Sequence, residues 1–194
     1  MAQTFTPTAV TSGEGAQLNY PLQLDRGLPG QIADLSLSRV ITGANETGAV
    51  LAFGVPVNAN SAGVLANSCK LATAAGAILG ISVRSAVHEK VGIPAPGAAP
   101  SYTEGVPDLK AVNILTAGTI YLEVMEAVAP GDTLRFHKSG THAGKWGKTA
   151  SNGNTLALAA GGWVIRKAGA AGQVLALEIN SPAELTFTAD TAQG

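Results

Sequence analysis

The chain predicts an all-β fold: a compact antiparallel barrel or sandwich with an extended N-terminal arm and a long Pro/Gly-rich loop. Three observations carry that expectation. Within residues 113–136, Ile120, Leu122 and Val124 fall on one side while Thr119, Tyr121, Glu123 and Met125 fall on the other, the period of a half-buried strand. Other short apolar runs are separated by Gly, Pro and Asn, and 24 Gly with 10 Pro cut 194 residues into many short elements. No stretch carries the 3.6-residue apolar repeat of an amphipathic helix.

Taken in order, residues 1–36 lack apolar periodicity and cannot close a core of their own. Tyr20, Leu22, Leu24, Leu28 and Ile32 nevertheless favour an extended arm over a solvated tail. The body is expected over residues 37–180. Arg39-Val40-Ile41-Thr42 predicts a short strand ended by a turn at Gly43-Ala44-Asn45-Glu46. A strand over residues 49–53 is expected next, and Pro56 marks Val55-Pro56-Val57 as an edge strand or bulge. A polar connection over 58–70 leads to a strong strand at 77–84, where Gly80 implies a bend or close backbone approach. Four prolines over 86–110 predict a long binding or irregular loop. Ala117-Gly118 then reads as a turn, followed by a hairpin whose type II turn is Pro130-Gly131. After a loop over 138–154 with a short strand near Lys145-Trp146, residues 162–166 and 173–179 form a closing hairpin. Residues 181–194 read as a polar C-terminal tail.

Composition narrows the function. Charged residues make up 13% and the net charge is -1, so no field gathers nucleic acid or an anionic membrane. So weakly charged a surface is better suited to contact with protein than with water. A single Cys69 excludes a disulfide framework and fits synthesis in a reducing compartment, the cytoplasm. The start, MAQTFTPTAV, shows no secretory pattern, and no apolar run reaches the ~20 residues of a membrane helix.

No catalytic residue, cofactor or metal ligand is assigned. His137 and His142 with Cys69 lack CxxC or HxxxH spacing for zinc, and with His88 they read as solvated loop histidines. Glu123 and Glu126 are offset by three, which on a strand puts them on opposite faces. Gly147-Lys148-Thr149 fails as a phosphate loop because His142 stands where its first Gly belongs, and Gly13-x-Gly15 fails at Leu18. Asn45-Glu46-Thr47 matches a glycosylation acceptor but reads more simply as a turn. Arg39, Arg84, Arg135 and Arg166 read as solvated strand-face residues before salt bridges to a partner.

Pro29-Gly30-Gln31-x-Ala33-Asp34, the strand 79–84, Asn113-Ile114-Leu115-Thr116-x-Gly118-x-Ile120 and Val128-Ala129-Pro130-Gly131-Asp132 occur in that order. With the closing hairpin, this ordered set resembles the structural cement, or capsid decoration, proteins of tailed bacteriophages. The resemblance implies a non-enzymatic β-rich protein, a homotrimer, bound to the outside of the phage head where capsomers meet. Its partners would be the major capsid protein and further copies of itself. Candidate protomer or capsid contacts are Tyr20, Leu22, Leu24, Leu28, Pro29, Gly30, Gln31 and Asp34. The alternative is a trimeric receptor- or glycan-binding module of a phage tail or fibre, with Tyr102, Tyr121, Trp146 and Trp163 stacking sugars.

Overall fold

A computed structural model describes residues 27–88 and 104–190. The first half contains β1 (Ile32–Asn45), β2 (Pro56–Ala59), β3 (Ser68–Leu71), β4 (Gly76–Ala77) and β5 (Gly80–Ser82). The second contains β6 (Ala111–Glu123), β7 (Arg135–His137), β8 (Trp146–Gly147) and β9 (Thr155–Leu158), then β10 (Trp163–Lys167), β11 (Val174–Ile179) and β12 (Thr186–Ala189). The helical content of the described residues is two 3-10 turns, Ala86–His88 and Pro182–Glu184.

The strands form a seven-stranded sheet, β1-β3-β2-β5-β6-β11-β10, and a five-stranded sheet, β4-β12-β9-β7-β8. Because β1 pairs with both β3 and β6, the first sheet closes a ring through β3, β2 and β5. A closed ring removes the open backbone edges on which other chains could template. All its pairings are antiparallel except β1 with β3. Strand β6 is the trunk: one edge carries β1, and the other carries β5 at Ile114 and Leu115, then β11 from Gly118 to Glu123. The alternation seen in the sequence decides what it buries. Ile120, Leu122 and Val124 are inaccessible, while Thr119, Tyr121 and Glu123 are half-buried.

The second sheet packs over the ring, and one apolar cluster spans both. Phe136, Trp146 and Phe187 form its aromatic part, with centroids 5.3–6.3 Å apart. Trp146 donates its indole N–H to the Gly54 carbonyl at 2.8 Å, which satisfies the ring's one polar group inside the core.

Several expectations are corrected here. Residues 113–136 are not a hairpin, because β6 and β7 belong to different sheets. The Pro130-Gly131 turn exists, with Asp132 N–H donating to Ala129 O and Gly131 at φ +95°, but it carries the chain between sheets. Val124 and Val128 are already bonded to Gln173 and Gly169, so β6 has no free partner edge for β7. Ala117-Gly118 is not a turn but the point inside β6 where its neighbour changes from β5 to β11. Gly43-Ala44-Asn45 continues β1. Gly43 is needed for space, since a Cβ there would lie 3.0 Å from Asn67 O.

Pro56 opens an interior strand between β3 and β5, not an edge, and residues 49–53 contribute only the Leu51–Val106 bridge. Ser68–Leu71, inside the expected polar connection, is a strand. The strand expected over 77–84 shrinks to Gly80–Ser82. Gly80 is there for close approach, as a Cβ would sit 2.1 Å from Leu115 O. Residues 181–194 are not a tail throughout: β12 lies between β4 and β9, with Leu185 and Phe187 buried. The closing hairpin of β10 and β11 and the short strand at Trp146 are as expected.

Candidate docking surface

Of the candidate contacts, Leu28, Pro29, Gly30 and Gln31 form the turn that leads into β1. Tyr20, Leu22 and Leu24 lie outside the described residues. Leu28 is 50% exposed and opens a tight turn in which Gln31 N–H donates to Leu28 O at 2.9 Å. The Gln31 side chain closes the same turn by accepting the Leu28 N–H at 3.0 Å. Gly30 is buried and wedged between strands, donating to Tyr121 O at 2.8 Å and accepting from Arg84 N–H at 2.7 Å. With φ at +77° and an added Cβ only 2.8 Å from both Gly54 N and Phe53 Cβ, no other residue fits there. Pro29 and Gly30 therefore anchor the leading segment to its own ring, and Leu28 and Gln31 face outward.

Asp34 is exposed, at the rim of an open depression of about 580 Å³ whose wall includes Gly118, Thr119, Arg166 and Glu178. Arg166 and Glu178 form an ion pair across it. The hydrogen bond from Arg166 holds the Glu178 carboxyl below the usual range and in return raises the guanidinium. The wall mixes small apolar groups with one neutralised ion pair, a surface that suits contact.

Elsewhere the chemistry stays within the fold. Glu126 accepts N–H from Lys148 and Thr149 at 2.6 Å and the Thr149 hydroxyl at 2.7 Å. Burial works against its charge, but these donors outweigh it and hold the carboxyl low. His137 is buried, not solvated, and its ring stands 6.0 Å from His142. Burial, then the neighbouring His142 charge, lowers its pKa. Burial pushes the Cys69 thiol up to about 11, so it is an inert apolar filler. Among the described residues, no group of three His, Cys, Asp or Glu could hold a metal ion.

Arg84, paired with Glu104 at 2.6 Å, and Arg135, paired with Asp190 at 3.1 Å, are largely buried, which corrects their reading as solvated, while Arg166 pairs with Glu178 and stays exposed as expected. Trp146 is wholly buried, Trp163 gives its N–H to Ala159 O, and Tyr102 lies outside the described residues. Trp146 is therefore closed to a sugar.

The far end of β1 holds a framework that the sequence disclosed only in part. Asn45 is inaccessible, donating to Ala49 O and Val106 O at 2.9 Å and accepting Thr47 N–H at 3.1 Å. It is thus no glycan acceptor. Its neighbour Glu46 accepts the N–H groups of Val64 and Leu65 at 3.1 and 3.3 Å. The sequence signal was an apolar pair, Val64-Leu65, inside an Asn- and Ser-rich connection.

The sequence model of the family described as structural cement protein (E217 gp24/Pam3 gp6) matches residues 16–180. Among curated proteins, none matches the chain. Among solved structures, a chain from the capsid of Myoviridae phage XM1 superimposes with a TM-score of 0.55 at 18% identity, over 86% of this chain and 98% of the other. At that identity the likeness speaks to fold alone. The family match spans the turn at Gly30, the whole ring and the closing hairpin, so the chain belongs to the structural cement protein family.

Proposed function

We propose that this protein is a non-catalytic cement of a bacteriophage head, bound to the outer surface where capsomers meet and stabilising the shell. It acts as a homotrimer whose leading segment passes to a neighbouring copy, and its second partner is the major capsid protein. The observation that carries this is where the family match begins. It starts at residue 16, ahead of the first strand, so part of the leading segment belongs to the family pattern along with the barrel. The turn at 28–31 supports the arm by fixing where that segment leaves the ring. Repeated modest contacts around a symmetry axis raise avidity by ~10²–10⁴ over one contact.

Deletion of residues 2–26 tests the arm without touching the Gly30 anchor. The truncated protein is expected to keep its melting temperature, lose mass in solution, and decorate empty heads at least about a hundredfold more weakly. Undiminished decoration and head stabilisation would end the arm reading.

A further inference from the structure

At the Asn45 end of β1, large apolar side chains stand in solvent on a rigid base. Val64 is 90% exposed, Leu109 60%, Val50 40% and Leu65 39%. All four hang from one framework. Val64 and Leu65 are held by Glu46, Leu109 N–H donates to Asn45 O at 2.7 Å, and Ala49, next to Val50, is held by the Asn45 side chain. The two non-glycine residues with left-handed φ among the described residues, Asn67 at 55° and Leu109 at 58°, both lie here. An apolar Leu gains nothing locally from that conformation with its side chain in water.

The two carboxylates at this pole are tied to backbone. Glu46 is occupied by backbone N–H groups, and Asp108 accepts Gly48 N–H at 2.9 Å. What remains outward is largely apolar, Val50, Val64, Leu65 and Leu109 with Ala62 and Ala66, beside Asn67 and one cation, Lys110. Such a patch amounts to a few hundred Å², whereas a self-standing dimer buries roughly 1,200–2,000 Å² in total. It is too small to hold two soluble copies together and large enough for a contact repeated many times over one lattice.

We infer that the crown formed by Val50, Val64, Leu65 and Leu109 is the face that seats on the shell, against an apolar surface of the capsid protein. This rests on the cement reading and adds the contact face. The crown lies at the opposite end of β1 from the arm root, so the two contacts are separable.

The test compares the full-length protein with a V64D/L109D variant in co-sedimentation on purified empty heads. Asp tolerates left-handed φ, and both positions are solvent-facing. Head binding is expected to fall at least about a hundredfold, with mass in solution and melting temperature unchanged. The milder V64S/L109N variant is expected to lose about tenfold. Undiminished binding by either variant overturns the inference. A fall in mass would assign the crown to contacts between copies, and a fall in melting temperature would assign it to a segment of the same chain. Either result also overturns it. Heads that take up neither variant nor unaltered protein refute the cement reading itself, a result separable from loss in the variants alone.

Discussion

Strand β1 ends in two kinds of chemistry. At its start, Gly30 is pressed between Gly54, Phe53, Tyr121 and Arg84, and the backbone itself makes the lock. At its finish, Asn45 and Glu46 use side chains to hold loops that present apolar groups outward. Ile32 pairs with Ile120 and Ala44 with Ala111, so the two ends stand up to roughly 30 Å apart along β6. The contrast teaches that this barrel is closed by space-filling at one pole and by polar satisfaction at the other. Substitutions at the two ends fail for different reasons.

The largest expected effect is at the start. Gly30→Ala forces a Cβ to within 2.8 Å of a backbone nitrogen in a left-handed conformation, so neither neighbour can yield. A loss of about 3 kcal/mol or more is expected, read as a lowered urea midpoint with an unchanged slope. A midpoint within error of the parent would show that the crossing is loose and that the lock lies elsewhere.

Asn45→Ala comes next. It leaves the Ala49 and Val106 carbonyls and the Thr47 N–H without their buried partner, a loss of about 2 kcal/mol. Unlike Gly30→Ala, it should also weaken head binding, because Val50 and Leu109 lose their base. Equal effects of the two substitutions on binding per unit of lost stability would erase the distinction between the ends.

His137, in the second sheet and at neither end, supplies the control. Its folded-state pKa is lowered by burial and by His142, with Glu126 and Asp190 opposing. The native state therefore takes up its proton later than the unfolded chain does. This contribution is whole above pH ~6.5 and is lost as pH falls below that value, by at most about 1.4 kcal/mol per pH unit. The carboxylates held low, Glu126 and Glu178, act in the other window, below pH ~4.5. His137→Gln should flatten melting temperature between pH 6.5 and 5 and leave the steeper acid limb in place. A curve unchanged in that range would place the titration elsewhere.

The sequence made legible what is local. Ile120, Leu122 and Val124 alternate because one strand faces one core, and residues 162–179 pair across a short loop, so nearby residues suffice to predict both. What it hid depends on distant neighbours. Gly43 reads as a turn glycine until Asn67 arrives against it, and nothing beside Gly30 announces Gly54, whereas Gly80, set inside an apolar run, did signal the close approach of Leu115. Nothing near Val124 announces that Gln173 and Trp146 flank it, which is why strand, turn and strand over 113–136 was not a hairpin. The crown was hidden the same way: Val64-Leu65 is an oddity in a polar loop until Glu46 reaches it from 18 residues earlier. Leu28 and Gln31 are exposed while Gly30 beside them turns inward, a difference set by Gly54, Phe53 and Tyr121 and not by neighbouring residues.

The smallest expected effect separates strain from adhesion at the finish of β1. Leu109 holds φ at 58°, which favours glycine by about 1 kcal/mol, and its side chain is mostly in water. Leu109→Gly should therefore raise stability by up to about 1 kcal/mol, less whatever burial the side chain has. The same substitution removes an apolar contact from the crown and should weaken head binding by about tenfold. Stability and binding would then move in opposite directions at one residue, the pattern expected where backbone strain is kept for a surface function. If both rise or both fall together, Leu109 serves the fold of its own loop, and the finish of β1 is built for closure just as the start is.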